Sequence, residues 1–168
     1  MISFRTYLDL IVTLKPKIFV DSIESLEKTL HKLIPISKHM GITVTDYTGS
    51  ELTLVAPLAN NINHQQSAFG GSLFSLTALA GWGLMQLKLC EENLDGNTVV
   101  AGGDVTFSAP VTEDYTCRCS LPDGWPQFLE KLKSKGKAAV GMSSIVSAHG
   151  GEAMQFNGHF VVRLRNPS

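Results

Sequence analysis

The sequence contains little cysteine: Cys90, Cys117 and Cys119 are the three in 168 residues. An odd number without regular spacing argues against a disulfide framework and favours a reducing compartment, so we expect a cytoplasmic protein. Cys117 and Cys119 alternate in a predicted strand and should face one side of it. No neighbouring His or Cys completes a four-ligand zinc site. We therefore interpret both as small buried residues, and we expect neither a metal nor a cofactor.

Charge is also scarce. Charged residues make up 17% of the chain and nearly cancel, to a net charge of -1. Phosphate backbones require a clustered cationic surface, so we expect no nucleic-acid partner. The apolar fraction of 43% is typical of a globular protein. The length predicts one domain over residues 21–168. Residues 1–20 are interpreted as an N-terminal arm, because Asp9 interrupts any signal-peptide core.

Residues 67–87 lack formal charge altogether. A segment of this length could span a bilayer. It is nevertheless rich in small and polar residues, and no positive cluster marks one end. We predict instead a helix buried on most sides by the rest of the protein, and we expect no membrane association. The glycines in this segment are Gly70, Gly71, Gly81 and Gly83.

The remaining pattern predicts an α+β fold. Residues 21–34 read as an amphipathic helix capped by Asp21 with Glu24 three residues on, and Pro35 should end it. A hairpin follows, then the long helix, then mainly strands with short connections, which favours antiparallel pairing. A helix with so little polar surface must be wrapped by the sheet. The predicted strands are residues 42–46, 51–57, 98–107, 115–121, 136–148 and 152–164, with a short helical run at 128–133.

An Asn-rich loop runs into a helix that begins with two glycines, Gly70 and Gly71. The first N–H groups of a helix lack intrahelical acceptors and carry the positive end of the helix dipole. Without side chains in the way, a carbonyl oxygen could approach those groups and be polarised. Asn63, just upstream, could orient a water or hold the carbonyl. The alternative is structural: Asn63 organises the loop, and the glycines allow tight packing.

The block from Asn60 to Leu73, followed by Leu79-Ala80-Gly81-Trp82-Gly83, resembles the thioesterase-like domain at the C-terminus of YiiD-type acyltransferases. That family belongs to the hotdog-fold superfamily. The Phe-x-x-Pro motif at 107–110 is similar to a strand end of the same superfamily. The resemblance implies a hotdog fold, in which a long central helix is wrapped by a curved antiparallel β-sheet. It also implies a homodimer with sheets joined edge to edge, which could pair into a tetramer.

Thioesterases of this superfamily often show an Asn, a His-Gly-Gly six residues on, and a helix carboxylate eight residues past the first Gly. Asn63 and the glycine pair match, whereas Phe69 stands where His is common and Ala78 where the carboxylate would fall. A proton acceptor for water must then come from elsewhere. The candidates are His64, on the same loop, and Asp104, within an apolar strand. Each also has a structural interpretation, as a solvated loop residue or as a paired carboxylate.

The resemblance implies hydrolysis of an acyl thioester, carried by CoA or by an acyl carrier protein. The absent carboxylate leaves two alternatives open: an acyl-CoA binding module without turnover, or a 3-hydroxyacyl dehydratase. Arg118, Arg163 and Arg165, or the lysines at 131–137, could meet CoA phosphates, or they form solvated surfaces. The residues predicted to act on the thioester are Asn63, Gly70, Gly71, Asp104 and His64, with Phe69, Ser72, Phe74 and Thr77 contacting the substrate.

Overall fold

The computed structural model describes residues 20–165. Of the predicted N-terminal arm only Val20 falls within this range, and it is buried in the hydrophobic core. The rest of the arm lies outside the described residues. In chain order the elements are α1 (Ile23–Leu33), α2 (Pro35–His39), β1 (Thr43–Tyr47), β2 (Glu51–Ala56), a 3-10 turn (Leu58–Asn60), α3 (Gly70–Glu91), β3 (Gly96–Phe107), β4 (Tyr115–Ser120), α4 (Trp125–Lys135), β5 (Lys137–Ala148) and β6 (Gly151–Leu164).

The six strands of residues 20–165 form one sheet, in the order β1-β2-β4-β5-β6-β3. Every neighbouring pair is antiparallel. The long helix α3 packs on this sheet and contacts β2, β3, β4, β5 and β6. This arrangement confirms the predicted α+β fold with a long central helix against an antiparallel sheet.

The cap predicted for the first helix is wrong. Ser22, not Asp21, occupies the N-cap, and its extended backbone lets the hydroxyl accept from the Ser25 N–H at 3.2 Å. The Ser25 hydroxyl in turn accepts from the Ser22 N–H at 3.0 Å, which closes a reciprocal capping box without Glu24. Pro35 has a second role that the pattern did not indicate. It follows the end of α1 and also begins the short helix α2, where its missing N–H costs nothing.

Helix α3 is apolar all round because protein surrounds most of it. Leu76, Ala80, Leu84 and Met85 have no exposed surface. Within residues 20–165, α3 is the one helix long and apolar enough to cross a membrane by composition, and 67% of its most apolar window is buried inside the protein. The same low charge is expected of a helix that a sheet encloses.

One face of α3 is only partly covered. Residues spaced three or four apart along the helix lie on the same side. The half-buried or exposed residues that share this face are Gly71, Phe74, Ser75, Ala78 and Trp82. Ala78, where the resemblance implies a carboxylate, therefore lies on the side of the helix that is left accessible.

A β-bulge in β3 decides which side chains face the core. Val100 pairs with the fully buried Phe160, and Gly102 pairs with the exposed His159, so Ala101 is an extra residue without a partner. One inserted residue exchanges the two faces of a strand. Beyond the bulge, Asp104 consequently lies opposite Asn157 on the outer face of the sheet, away from α3.

The two edges of the sheet differ. At β1, the Glu27 carboxylate of α1 accepts the Val44 N–H at 2.8 Å, and His31 Nε2 donates to the Ile42 carbonyl at 2.8 Å. At β3, residues 101–104 and 106–107 are exposed. Side chains of α1 thus bind part of the β1 backbone and protect that edge, whereas the second half of β3 lies open to solvent.

Candidate functional site

The loop before α3 is held from both sides by backbone hydrogen bonds. The Phe69 N–H donates to the Asn61 carbonyl at 2.7 Å, and the Ala68 N–H donates to the Val111 carbonyl at 2.7 Å. The Asn61 side chain is buried and donates to the carbonyls of Met40 (2.9 Å) and Pro57 (2.8 Å). These contacts fix the start of α3 against the segment that follows β3.

Asn63 organises the loop with its own side chain. Its Oδ1 accepts from the N–H groups of Gln65 (2.8 Å) and Ser67 (3.3 Å). Its Nδ2 donates to the Ser67 hydroxyl at 3.2 Å and to the Ala68 carbonyl at 3.4 Å. This geometry matches the structural alternative considered for Asn63. The side chain also borders the cavity described below, so the two roles are compatible.

The N-terminus of α3 lies between two aromatic rings. Phe69 occupies the N-cap and provides no side-chain hydrogen bond, so the N–H groups of Gly70 and Gly71 keep their capacity to donate. The Ser72 N–H already donates to the Phe69 carbonyl at 2.9 Å. The Phe69 ring covers Gly71, where a Cβ would come within 2.3 Å of the ring. The Phe107 ring stands beside Gly70, 3.4 Å from the position of a Cβ. Both rings are more than half exposed, at 58% and 56%.

A cavity of about 450 Å³ opens at this helix start. It brings the predicted residues Asn63 and Gly70 together at one surface. The segment from Phe107 to Val111 forms another part of its lining. No site role was predicted for this segment from its Phe-x-x-Pro motif. The lining residues are Asn63, Gln65, Ser67, Ala68, Gly70, Leu73, Phe107, Ser108, Ala109, Pro110 and Val111. The arrangement suits a polar head at the helix N-terminus beside an apolar group.

Some of the predicted residues are not among those that line this cavity, namely His64, Phe69, Gly71, Ser72, Phe74 and Thr77. Ser72 is half-buried in the first turn of α3, and His64 is exposed on the loop. Phe74, 40% exposed, meets the ring of Phe156 edge to face at a centroid distance of 5.1 Å. Thr77 is fully buried, and its hydroxyl donates to the Phe74 carbonyl at 2.8 Å. The Thr77 hydroxyl is therefore directed at its own helix.

Asp104 borders a different cavity. The bulge in β3 places it on the outer face of the sheet, in a cavity of about 700 Å³ that Asn157 and His159 also line. The structure does not bring Asp104 to the Gly70 cavity. The candidates for CoA phosphate contacts are dispersed as well, since Arg118 faces Glu51 at 3.9 Å and Arg165 faces Asp95 at 3.3 Å.

The two strand cysteines are confirmed as buried residues of β4, on the same side of the strand. Burial raises the pKa of the Cys117 thiol well above its ordinary value, and it raises the pKa of Cys119 to about 11. Both thiols therefore stay protonated at neutral pH, and a protonated thiol is a poor nucleophile.

Comparisons with known proteins found a matching family model and several solved structures of similar fold. A family model described as "Putative thioesterase (yiiD_Cterm)" matches residues 23–164. A "putative thioesterase" from Shewanella oneidensis is 34% identical, with a TM-score of 0.77 over 83% of this chain and 95% of that one. A protein of unknown function from Chlorobaculum tepidum is 32% identical, with a TM-score of 0.76 over 85% and 97%. A thioesterase from Haemophilus influenzae shares the hotdog fold at 14% identity and a TM-score of 0.63, over 89% and 95%.

Proposed function

This chain belongs to the family described as "Putative thioesterase (yiiD_Cterm)", and from that membership we propose that it hydrolyses acyl thioesters carried by CoA or by an acyl carrier protein. The observation that carries the proposal is the cavity at the start of α3, where Gly70 and Asn63 meet an apolar wall. The proposal includes a cytoplasmic location.

The helix start supplies the electrostatic part of the reaction. A thioester carbonyl placed at Gly70 and Gly71 would accept from N–H groups that have no intrahelical acceptor. The oxygen gains negative charge as water attacks the carbonyl carbon, and oriented donors stabilise that charge without reorganising. Leu73 and the Phe107 ring line the same space, and the Phe69 ring lies over the adjacent Gly71. These apolar groups suit the acyl chain.

Proton transfer from the attacking water requires a base that Ala78 cannot provide. His64 is retained for this role because it adjoins Asn63 on the loop and is exposed to solvent. Asp104 lines the outer cavity of its own subunit, so it could act only across an interface between subunits. The protonated base would then return its proton to the departing thiolate.

The test is thiol release from purified protein across acyl-CoA esters of increasing chain length and from an acylated carrier protein. We expect release that saturates with substrate and is fastest for one range of chain lengths. Chain-length preference would reveal which acyl group fits beside Leu73. Failure to release thiol from any ester of the panel would contradict the proposed function.

The accessible face of α3 motivates one alternative, a module that binds acyl-CoA without turnover. In the described residues that face carries a glycine, two aromatic residues, a serine and Ala78, but no carboxylate. Calorimetry with the same esters separates the two functions. Saturable binding together with absent thiol release would favour the module, whereas binding with release favours the hydrolase.

We also propose that the chain forms a homodimer by pairing two β3 edges, which could assemble further into a tetramer. The open β3 edge and the protection of β1 by α1 support this choice of edge. Replacing Ala101 by proline should shift the protein towards monomer, because proline in an edge strand disfavours pairing with a further strand. Ala101 has no partner in β6, so the intramolecular ladder should persist. Light scattering after gel filtration measures the mass.

Thr45 offers a matched control for this variant. It is the extra residue of a bulge in the other edge strand, between Val44 and Asp46. Thr45→Pro should leave the oligomeric state unchanged, since α1 already blocks that edge. A dimer that survives Ala101→Pro but dissociates in Thr45→Pro would place the interface at β1 instead.

A further inference from the structure

A second group of reactive side chains lies on two loops outside the Gly70 cavity. The Thr112 hydroxyl is 2.9 Å from Nε2 of His149, across 37 residues of sequence. On the other side of the imidazole, Nδ1 is 3.3 Å from the Glu113 carboxylate. The Glu113 carboxylate also accepts the backbone N–H of His149. A hydroxyl, an imidazole and a carboxylate thus stand in line, in the order that activates a hydroxyl nucleophile.

The hydrogen bonds also assign the imidazole proton. The backbone N–H of Thr112 lies 3.4 Å from Nε2 of His149 and can only donate, so Nε2 must accept. In the neutral imidazole the proton is then on Nδ1, where it faces Glu113. The same Nε2 lone pair faces the Thr112 hydroxyl, at the shorter distance of 2.9 Å. This is the tautomer that a general base needs.

The turn between β5 and β6 holds His149 in a backbone conformation that is unusual for this residue type. The turn consists of His149 and Gly150, because Ala148 pairs with Gly151 across it. Both turn residues have positive φ, 53° for His149 and 75° for Gly150. Such a type I′ turn favours Asn-Gly, and a His in that conformation carries a local energetic cost. The His149 side chain is 49% exposed, so a substrate can approach the imidazole from solvent.

A neighbouring hollow offers space for an acyl group. It measures about 620 Å³ and is bordered by Glu113 and Asp114 on one side. On the other side it is bordered by the apolar residues Leu58, Ala59 and Ile62. The hollow and the reactive hydroxyl therefore adjoin through Glu113.

We propose that Thr112, His149 and Glu113 form an acyl-transfer site in which the Thr112 hydroxyl accepts the acyl group of a small activated ester or thioester. The proposal does not depend on hydrolysis at the Gly70 cavity. Thr112 Oγ attacks the carbonyl carbon, and its proton passes to Nε2 of His149. The new O–C bond forms while the bond to the leaving alcohol or thiol breaks, and Nε2 returns the proton to that leaving group. Water, deprotonated by the same nitrogen, then hydrolyses the acyl-threonine.

The experiment uses p-nitrophenyl acetate with the whole chain, acid quenching and peptide mass mapping. We expect a burst of nitrophenolate and one acetyl group on Thr112. Thr112→Val should abolish the label, and Thr112→Ser should restore it because the hydroxyl returns. His149→Asn keeps a residue suited to positive φ but removes the base, and should slow labelling by about 100-fold or more. Thr45→Val, which removes another exposed threonine hydroxyl, should label Thr112 normally.

Glu113 acts through the imidazole and is a positioning residue. Glu113→Gln should slow labelling, and Glu113→Asp should restore part of the rate because a carboxylate returns, which a merely structural contact would not require. Absence of acetyl on Thr112 in the unmodified chain overturns the proposal. Labelling at an unchanged rate in His149→Asn, with circular dichroism showing a folded protein, overturns it equally. Neither result would bear on thiol release from acyl-CoA.

Discussion

Replacing Gly81 by alanine should destabilise the protein by roughly 1–3 kcal/mol, although alanine is the better helix former. Gly81 lies in the middle of α3, directly beneath the Phe160 ring of β6. An added Cβ would come within 2.2 Å of Cζ and 2.9 Å of both Cε atoms of that ring. Phe160 has no exposed surface, and Phe156 packs against it at a centroid distance of 6.4 Å. Since a buried aromatic ring is rigid and cannot bend away from the new methyl, we expect helix and sheet to separate.

Gly83→Ala is the matched control, two residues along the same helix. A Cβ there would approach the terminal methyls of Leu52 and Leu26, at 2.9 Å and 3.1 Å. Methyl ends of leucine can rotate away, so we expect a much smaller loss of stability. Urea and thermal unfolding of the two variants measure the difference. Equal stability of both variants would contradict the argument that the Phe160 ring sets the spacing between α3 and the sheet.

Replacing Gly70 by alanine should lower kcat/KM for thioester hydrolysis by about tenfold or more while the protein stays folded. The Cβ would lie 3.4 Å from the Phe107 ring, an ordinary contact, so the fold accepts it. The methyl would nevertheless occupy the cavity beside the N–H groups that we propose polarise the carbonyl. Loss of one oxyanion donor costs enzymes about 10²–10³ in rate, and a displaced carbonyl loses part of that.

Gly124→Ala provides the control for a helix-terminal glycine outside the cavity. Gly124 is the N-cap of α4, and a Cβ there would meet nothing within 4 Å. Its thiol release should equal that of the unmodified chain. Full activity of Gly70→Ala, with normal unfolding behaviour, would contradict the proposal that the thioester carbonyl binds at the start of α3. The measurement is initial thiol release over a range of acyl-CoA concentrations.

The long helix could be predicted because the composition of its segment indicates that it is buried. Twenty-one consecutive positions without charge, 67–87, leave an enclosed helix as the simplest fate in a globular chain. The strands were predictable for a similar reason, as alternation and turn residues report local geometry. Cap identity was less accessible, since Asp21 and Ser22 are both good N-cap residues and only the backbone conformation decides between them.

The site was predictable only where it is local in sequence. Asn63 and Gly70 are seven residues apart and do border one cavity. The face of the sheet on which Asp104 lies was not predictable. The unpaired Ala101 moves each later side chain of β3 to the opposite face of the sheet. The approach of Thr112 to His149 depends on how β3, β5 and β6 align. The register between these strands cannot be predicted from a local sequence pattern.

The side-chain hydrogen bonds of Asn63 have a consequence for affinity. A flexible loop that becomes ordered around a ligand loses conformational entropy, and that loss subtracts from the binding free energy. Here the loop is already held in shape by its own asparagine, and Gln66 within it adopts a positive φ of 60°. Binding at the start of α3 therefore begins from an ordered surface, so most of the contact energy remains available to hold the ligand.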